Sequence, residues 1–129
     1  MTNLSGLDLV SGDAKKVAKY EANWRARYFL ADKRIEHATI IAIYKGGFTL
    51  RCHQGMAVGA VMNLEFIVNY KGAPTRVRLK AKADYCLIPS NASGADVDVT
   101  VTQISSRDQH VVNNLLQLMS SGKRVNIRI

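Results

Sequence analysis

The sequence predicts an all-β domain, a meander of short antiparallel strands on one buried face, the signature of a barrel or a sandwich. Three observations carry this. Apolar residues alternate with polar ones over three successive runs, starting at Leu64, Val77 and Val97. Turn residues separate the runs: Gly46-Gly47, Lys71-Gly72-Ala73-Pro74 and Pro89 to Gly94. Only near the two ends does the spacing of apolar residues become helical.

Taken in order, residues 1–12 read as a loose arm. Asp13 can cap a short helix over 13–23, with Ala14, Val17 and Ala18 on one face and Lys15, Lys16 and Lys19 on the other. The barrel is expected over 25–104. Its first strand starts near Tyr28, and Ile35 to Tyr44 follows, with β-branched Thr39, Ile40, Ile41 and Ile43 ending at Gly46-Gly47. Phe48, Leu50 and Cys52 alternate on the return strand, and Gly55 and Gly59 mark a loop. Folding the next three runs at their turns places Val68 opposite Val77 and Phe66 opposite Leu79 inside. Outside, it sets Glu65 near Lys80 and Asp98 near Lys82, so that opposite charges meet across strands. A second helix covers 106–120, with Ser106 and Gln109 as a capping box, a wide stripe from Val111 to Met119, and Gly122 as its stop. The tail over 124–129 alternates at period two and reads as a terminal strand seeking a free edge, which makes a homo-oligomer an expectation.

Length and composition narrow the function. A chain of 129 residues holds one domain, and 47% apolar with 22% charged residues is globular composition. No apolar run is long enough to cross a membrane as a helix, and the first ten residues lack the pattern of an export signal, so a cytoplasmic location without membrane insertion is expected. Cys52 and Cys86 fit a reducing compartment better than a disulfide framework. The 18 Lys and Arg against 10 Asp and Glu leave a net charge of +8, which favours an anionic partner.

Enzyme chemistry is not expected. His37, His53 and His110 lie on separate elements and show no metal-ligand spacing with the cysteines. Cys52 and His53 are neighbours on a strand and so face opposite sides, which is wrong for a nucleophile and its base. Lys45-Gly46-Gly47 is too short for a P-loop. The ladder Arg76, Arg78, Lys80 and Lys82 suggests single-stranded nucleic acid, but the interleaved residues are aliphatic and face inward, where bases would need aromatics to stack on. More pointed is Trp24-Arg25-Ala26-Arg27-Tyr28. Arginine pairs bidentately with phosphate, and its planar guanidinium stacks on purines or hydrogen-bonds the guanine edge.

An arginine cluster, a strand ending in Gly-Gly, a hairpin return, a meander and a closing helix together resemble the PilZ domain. This is a bacterial receptor or adaptor in cyclic di-GMP signalling. The likeness covers about Arg25 to Met119. Ala42-Ile43-Tyr44-Lys45-Gly46-Gly47-Phe48-Thr49-Leu50 is similar to the stretch around the family's second motif, and Asp96 to Met119 to its last strand and helix. The resemblance implies a six-stranded antiparallel PilZ-like β-barrel with a short N-terminal helix and a C-terminal helix. It also implies a site for cyclic di-GMP at Arg25, Arg27, Tyr44, Lys45, Gly46 and Gly47. The family's ligand motifs are R-x-x-x-R and D/N-x-S-x-x-G. Here the first is replaced by Arg25-Ala26-Arg27. In the second, Ala42 stands at the Asp/Asn place, Tyr44 at the Ser place, and only Gly47 matches.

Losing the carboxylate or amide and the hydroxyl costs about 2–4 kcal/mol of binding, on the order of thirty- to a thousand-fold. The implied function is a regulatory module acting on a protein partner of a motility, pilus or chemotaxis system, in motility, pilus or biofilm control, with weak or lost cyclic di-GMP binding. Two alternatives stand beside it: a true receptor holding the dinucleotide on Arg25 and Arg27 in an altered pose, and a basic barrel binding single-stranded nucleic acid.

Overall fold

The structure, a computed structural model, describes residues 18–88 and 94–122. Six strands and one helix follow in chain order: β1 (Lys19–Phe29), β2 (Ile35–Tyr44), β3 (Gly47–Cys52), β4 (Val61–Tyr70), β5 (Ala73–Leu87), β6 (Ala95–Ile104) and α1 (Ser106–Ser120). The strands close into an antiparallel barrel in the order β1-β2-β3-β6-β5-β4. Closure pairs β1 with β4, so the six-stranded ring has no free edge.

Alternation does the work the sequence predicts. Trp24, Ala26 and Tyr28 point inward from β1, Phe48, Leu50 and Cys52 from β3, and Val77, Leu79, Ala81 and Ala83 from β5. At the centre Trp24 stacks on Phe66 with ring centroids 5.8 Å apart, and Phe48 meets Phe66 edge-on at 5.5 Å. Helix α1 packs against β5 and β1 through Val111, Val112 and Leu115, which are buried.

Three local expectations give way. Residues 19–23 are extended, as the start of β1, where a helix over 13–23 was expected. Apolar residues there fit both periods, and pairing with β2 decides for the strand: Lys19 lies opposite Tyr44 and Tyr20 opposite Ile43. Residues 13–17, the arm 1–12, the loop residues 89–93 and the tail 124–129 lie outside the described residues.

The β4–β5 hairpin differs by two residues from the expected register. Phe66 pairs with Val77 and Val68 with Thr75, so Glu65 meets Arg78, and Lys80 meets Asn63. The turn is only Lys71-Gly72, both with positive φ (52° and 80°), a type I′-like connection that carries Ala73 and Pro74 into the strand. A shift of two keeps the same face inward, so the core survives it. Likewise Asp98 pairs with Tyr85, and Lys82 with Thr100, because β5 and β6 slip past each other at Lys80/Ala81 and Ala83/Tyr85.

The helix starts with Ser105 as its N-cap, one residue before the expected Ser106. The Ser105 hydroxyl accepts from the Asp108 backbone N–H at 3.2 Å. At the other end Gly122 takes φ 86° and its N–H reaches the Met119 carbonyl, the left-handed stop the sequence predicts.

Candidate ligand-binding site

The turn between β2 and β3 is built for close approach. Gly46 sits at φ 90°, and a Cβ on Gly47 would come within 2.2 Å of the Val99 carbonyl oxygen and 3.0 Å of the Tyr44 ring. Gly47 is therefore fixed by the close pairing of β6 alongside it and by the Tyr44 ring, which a turn alone would not require. Tyr44 lies half-buried beside this pairing, its hydroxyl within reach of the Phe48 carbonyl (3.2 Å) and the Val99 carbonyl (3.4 Å). Burial, with Asp98 and Asp84 nearby, pushes its phenol well above the usual range, so it stays protonated.

Lys19 closes the arrangement. Its ammonium sits 4.8 Å from the Tyr44 ring centroid, 3.2 Å from an Asp98 oxygen and 3.5 Å from the Thr49 hydroxyl. Thr49 in turn donates to Asp98 at 2.6 Å. Beside them Thr100 donates to Asp84. The end of the barrel that carries Gly46 and Gly47 thus holds one lysine, two carboxylates and two hydroxyls beside an aromatic ring, with Lys19 neutralising Asp98 and Asp84 bonded to a hydroxyl. Lys45 is exposed at the turn.

Arg25 and Arg27 are elsewhere. They lie six and eight residues beyond Lys19 on β1, about 20 and 26 Å along the strand at roughly 3.3 Å per residue. Of the six residues expected to share a site, Tyr44, Lys45, Gly46 and Gly47 come together and the two arginines do not. Arg25 lies opposite Thr39 and borders a groove of about 330 Å³ that also takes in His37, Arg51 and His53. Arg51 is committed to Asp96, at 2.9 and 3.1 Å.

Arg27 belongs to a different constellation. Cross-strand pairing sets Arg27, Glu65 and Arg78 in one row across β1, β4 and β5. The Glu65 side chain is only 9% exposed, and it accepts from Arg27 Nε at 2.5 Å and Arg78 Nε at 2.6 Å, with Arg76 at 3.9 Å. Burial by itself would raise the Glu65 carboxyl; the hydrogen bonds from Arg27 and Arg78 outweigh it and hold it below the usual range. Arg25, Arg76, Lys80 and Lys82 extend the basic face around this row, all exposed. Between β1, β4 and β5 a groove of about 450 Å³ opens, lined by Arg27, Phe29, Asn63, Arg78 and Lys80.

Two residues that matter at these places escape the sequence reading. Lys19 is hidden by the helical reading of 13–23; the alternation of Trp24, Ala26 and Tyr28, extended backwards, is the signal that finds it. Glu65 was matched to the wrong cation because the turn was read two residues too long. Among the described residues no group of three His, Cys, Asp or Glu is placed to hold a metal ion, and no helix is long and apolar enough to cross a membrane. Cys52 is buried, which with neighbouring charges pushes its thiol up to about 11, away from nucleophile chemistry.

No protein-family model matches the chain, and none of the curated proteins does. By shape it is similar to the Bacillus subtilis inhibitor of motility, MotI/DgrA, with a TM-score of 0.67 and 10% identity over 84% of this chain and 53% of that one. It is also similar to the PilZ domain of YcgR from Escherichia coli, solved with c-di-GMP, with a TM-score of 0.52 and 12% identity over 82% of this chain and 88% of that one. The chain spans about half the length of the motility inhibitor. At such identities the likeness is one of fold: the chain has the closed six-stranded barrel and C-terminal helix of a PilZ-like domain.

Proposed function

We propose that the chain is a cytoplasmic regulatory binding module in cyclic di-GMP-linked signalling, of the kind that controls motility, pili or biofilm, and that it acts by contact with a protein partner. Cyclic di-GMP itself binds weakly or not at all at the Gly46-Gly47 end. The PilZ-like barrel supports the signalling context. One observation carries the loss of the dinucleotide: the space beside the glycine turn is taken by the Tyr44 ring, and the cation next to it, Lys19, is already bound to Asp98. A phosphate there would have to displace a carboxylate, and a guanine would have to displace a half-buried ring anchored over two carbonyls.

Titration calorimetry with cyclic di-GMP tests this. The expected result is no saturable heat up to about 100 μM ligand; saturation with a dissociation constant near 1 μM overturns it. One observation favours a second reading, a receptor using Arg25 in an altered pose: the groove shared by Arg25, Thr39, His37 and His53 offers donors to a phosphate. That reading predicts saturable heat abolished by Arg25→Ala and indifferent to Tyr44→Ala.

A further inference from the structure

Building on the reading of a module that works through protein contact, we infer that the outer face of β1, β4 and β5 is its docking surface, and that the occupant is an acidic segment of the partner. The face presents Arg25, Arg27, Arg76, Arg78, Lys80 and Lys82 in adjoining rows around the carboxylate of Glu65, with Glu21 and Asp84 farther along the outer sides of β1 and β5. Beyond the pairs that Arg27 and Arg78 make with Glu65, folding does not need this charge. Inward-facing Val77, Leu79 and Ala81 hold β5 in place, and any polar side chain would serve outside. Like charges crowded on neighbouring positions repel, so the barrel carries the face at some cost in stability.

Two features organise it for binding. Glu65 accepts from the Nε of Arg27 and of Arg78, which ties down both guanidiniums while the two side chains stay 45% and 65% exposed. Holding arginine in place beforehand lowers the entropy lost on binding. On β5 the cations recur at every second residue, about 6.7 Å apart, a ladder that carboxylates on an extended chain can follow. Lys80 and Lys82 have no ion-pair partner among the described residues.

The pattern favours protein over nucleic acid. Phe29, the aromatic ring beside the groove, is half-buried and has the Arg27 guanidinium 5.7 Å from its centroid, so it is a poor stacking platform for a base. Glu65 stands ionised in the middle of the patch. A phosphate chain is negative at every step and cannot answer it, whereas a protein surface can place a donor opposite one position and carboxylates around it.

A dye-labelled peptide of alternating Glu and Ser is the probe, with an oligo-dT strand of similar length as competitor and anisotropy as readout. The peptide is expected to bind, and to weaken as sodium chloride rises from about 50 to 300 mM. Lys80→Glu with Lys82→Glu is expected to weaken it at least about tenfold. A second variant, Arg25→Glu, reports the same face from β1, and thermal melts of both variants check that the barrel is intact. Binding that is absent, unchanged in both variants, or out-competed by oligo-dT through the same residues overturns the inference, the last outcome marking a nucleic-acid surface. The dinucleotide titration answers separately. Silent calorimetry with no peptide binding removes the docking face and leaves the module reading. Tight dinucleotide binding with peptide binding intact does the reverse.

Discussion

Replacing Glu65 with Gln probes the link between the basic face and the fold. The substitution preserves shape and removes one charge from between two guanidiniums. Two charge-assisted hydrogen bonds, at 2.5 and 2.6 Å, are lost or weakened. In a dry site each is worth about 1.5–3 kcal/mol. Here the arginine partners are 45% and 65% exposed, so water rehydrates them and each bond falls toward the surface-pair range of about 0–1 kcal/mol. The Gln amide also turns a donor toward cations in a site that is almost closed. The expected loss is about 1–2 kcal/mol at neutral pH.

The pH dependence has a defined sign. The folded carboxyl titrates below its ordinary value of 4.5, so its stabilisation is present above that value and disappears as pH falls through the lower folded one. Urea denaturation at pH 7 and pH 3 measures both halves. The gap between wild type and Glu65→Gln should be present at the first and narrow at the second. Equal midpoints at pH 7, or an undiminished gap at pH 3, would refute the account of Glu65 as the ionised clamp of the face.

Gly47→Ala forces a Cβ to within 2.2 Å of a β6 carbonyl, and prying β3 from β6 should cost about 3 kcal/mol in chemical denaturation. Ser105→Ala removes the cap acceptor for the Asp108 N–H and should lower stability by about 1 kcal/mol, with the unfolding slope unchanged. In the native protein, iodoacetamide at about pH 8 should label Cys86, which is partly exposed, and spare Cys52, whose thiol is buried and titrates near 11, as read by mass spectrometry.

Strands β2 to β6 and the stop of α1 were legible because each rests on a local pattern: period two, a glycine at positive φ, an apolar stripe. The start of β1 was not. Its inside–outside alternation runs unbroken back to Lys19 despite a register irregularity against β2 between Glu21 and Trp24, yet Val17, Ala18 and Tyr20 also satisfy helical spacing. A similar irregularity in β2 lets Ile40 and Ile43 both face inward, three residues apart. The site was harder still. The sequence says that Arg25 and Arg27 alternate with buried residues, but which end of the barrel they reach depends on how β1 slides along β2, a long-range property. By sequence Tyr44 stands at the Ser place of the second motif. That its hydroxyl would reach the Val99 carbonyl follows from β6, distant in sequence, pairing alongside Gly47.

Closing the ring through β1 and β4 has a kinetic consequence. The β4–β5 hairpin joins neighbours across a two-residue turn and is the cheapest piece to nucleate, whereas the seam at Arg27 and Glu65 joins residues 38 apart. Loop-closure entropy therefore delays that seam and the β3–β6 seam, where Phe48 and Val99 are 51 apart, and folding should be rate-limited by these long-range joints rather than by the hairpins. A segment lying across β1, β4 and β5 would bridge one of these late joints, slowing the opening of the ring more than it speeds its assembly.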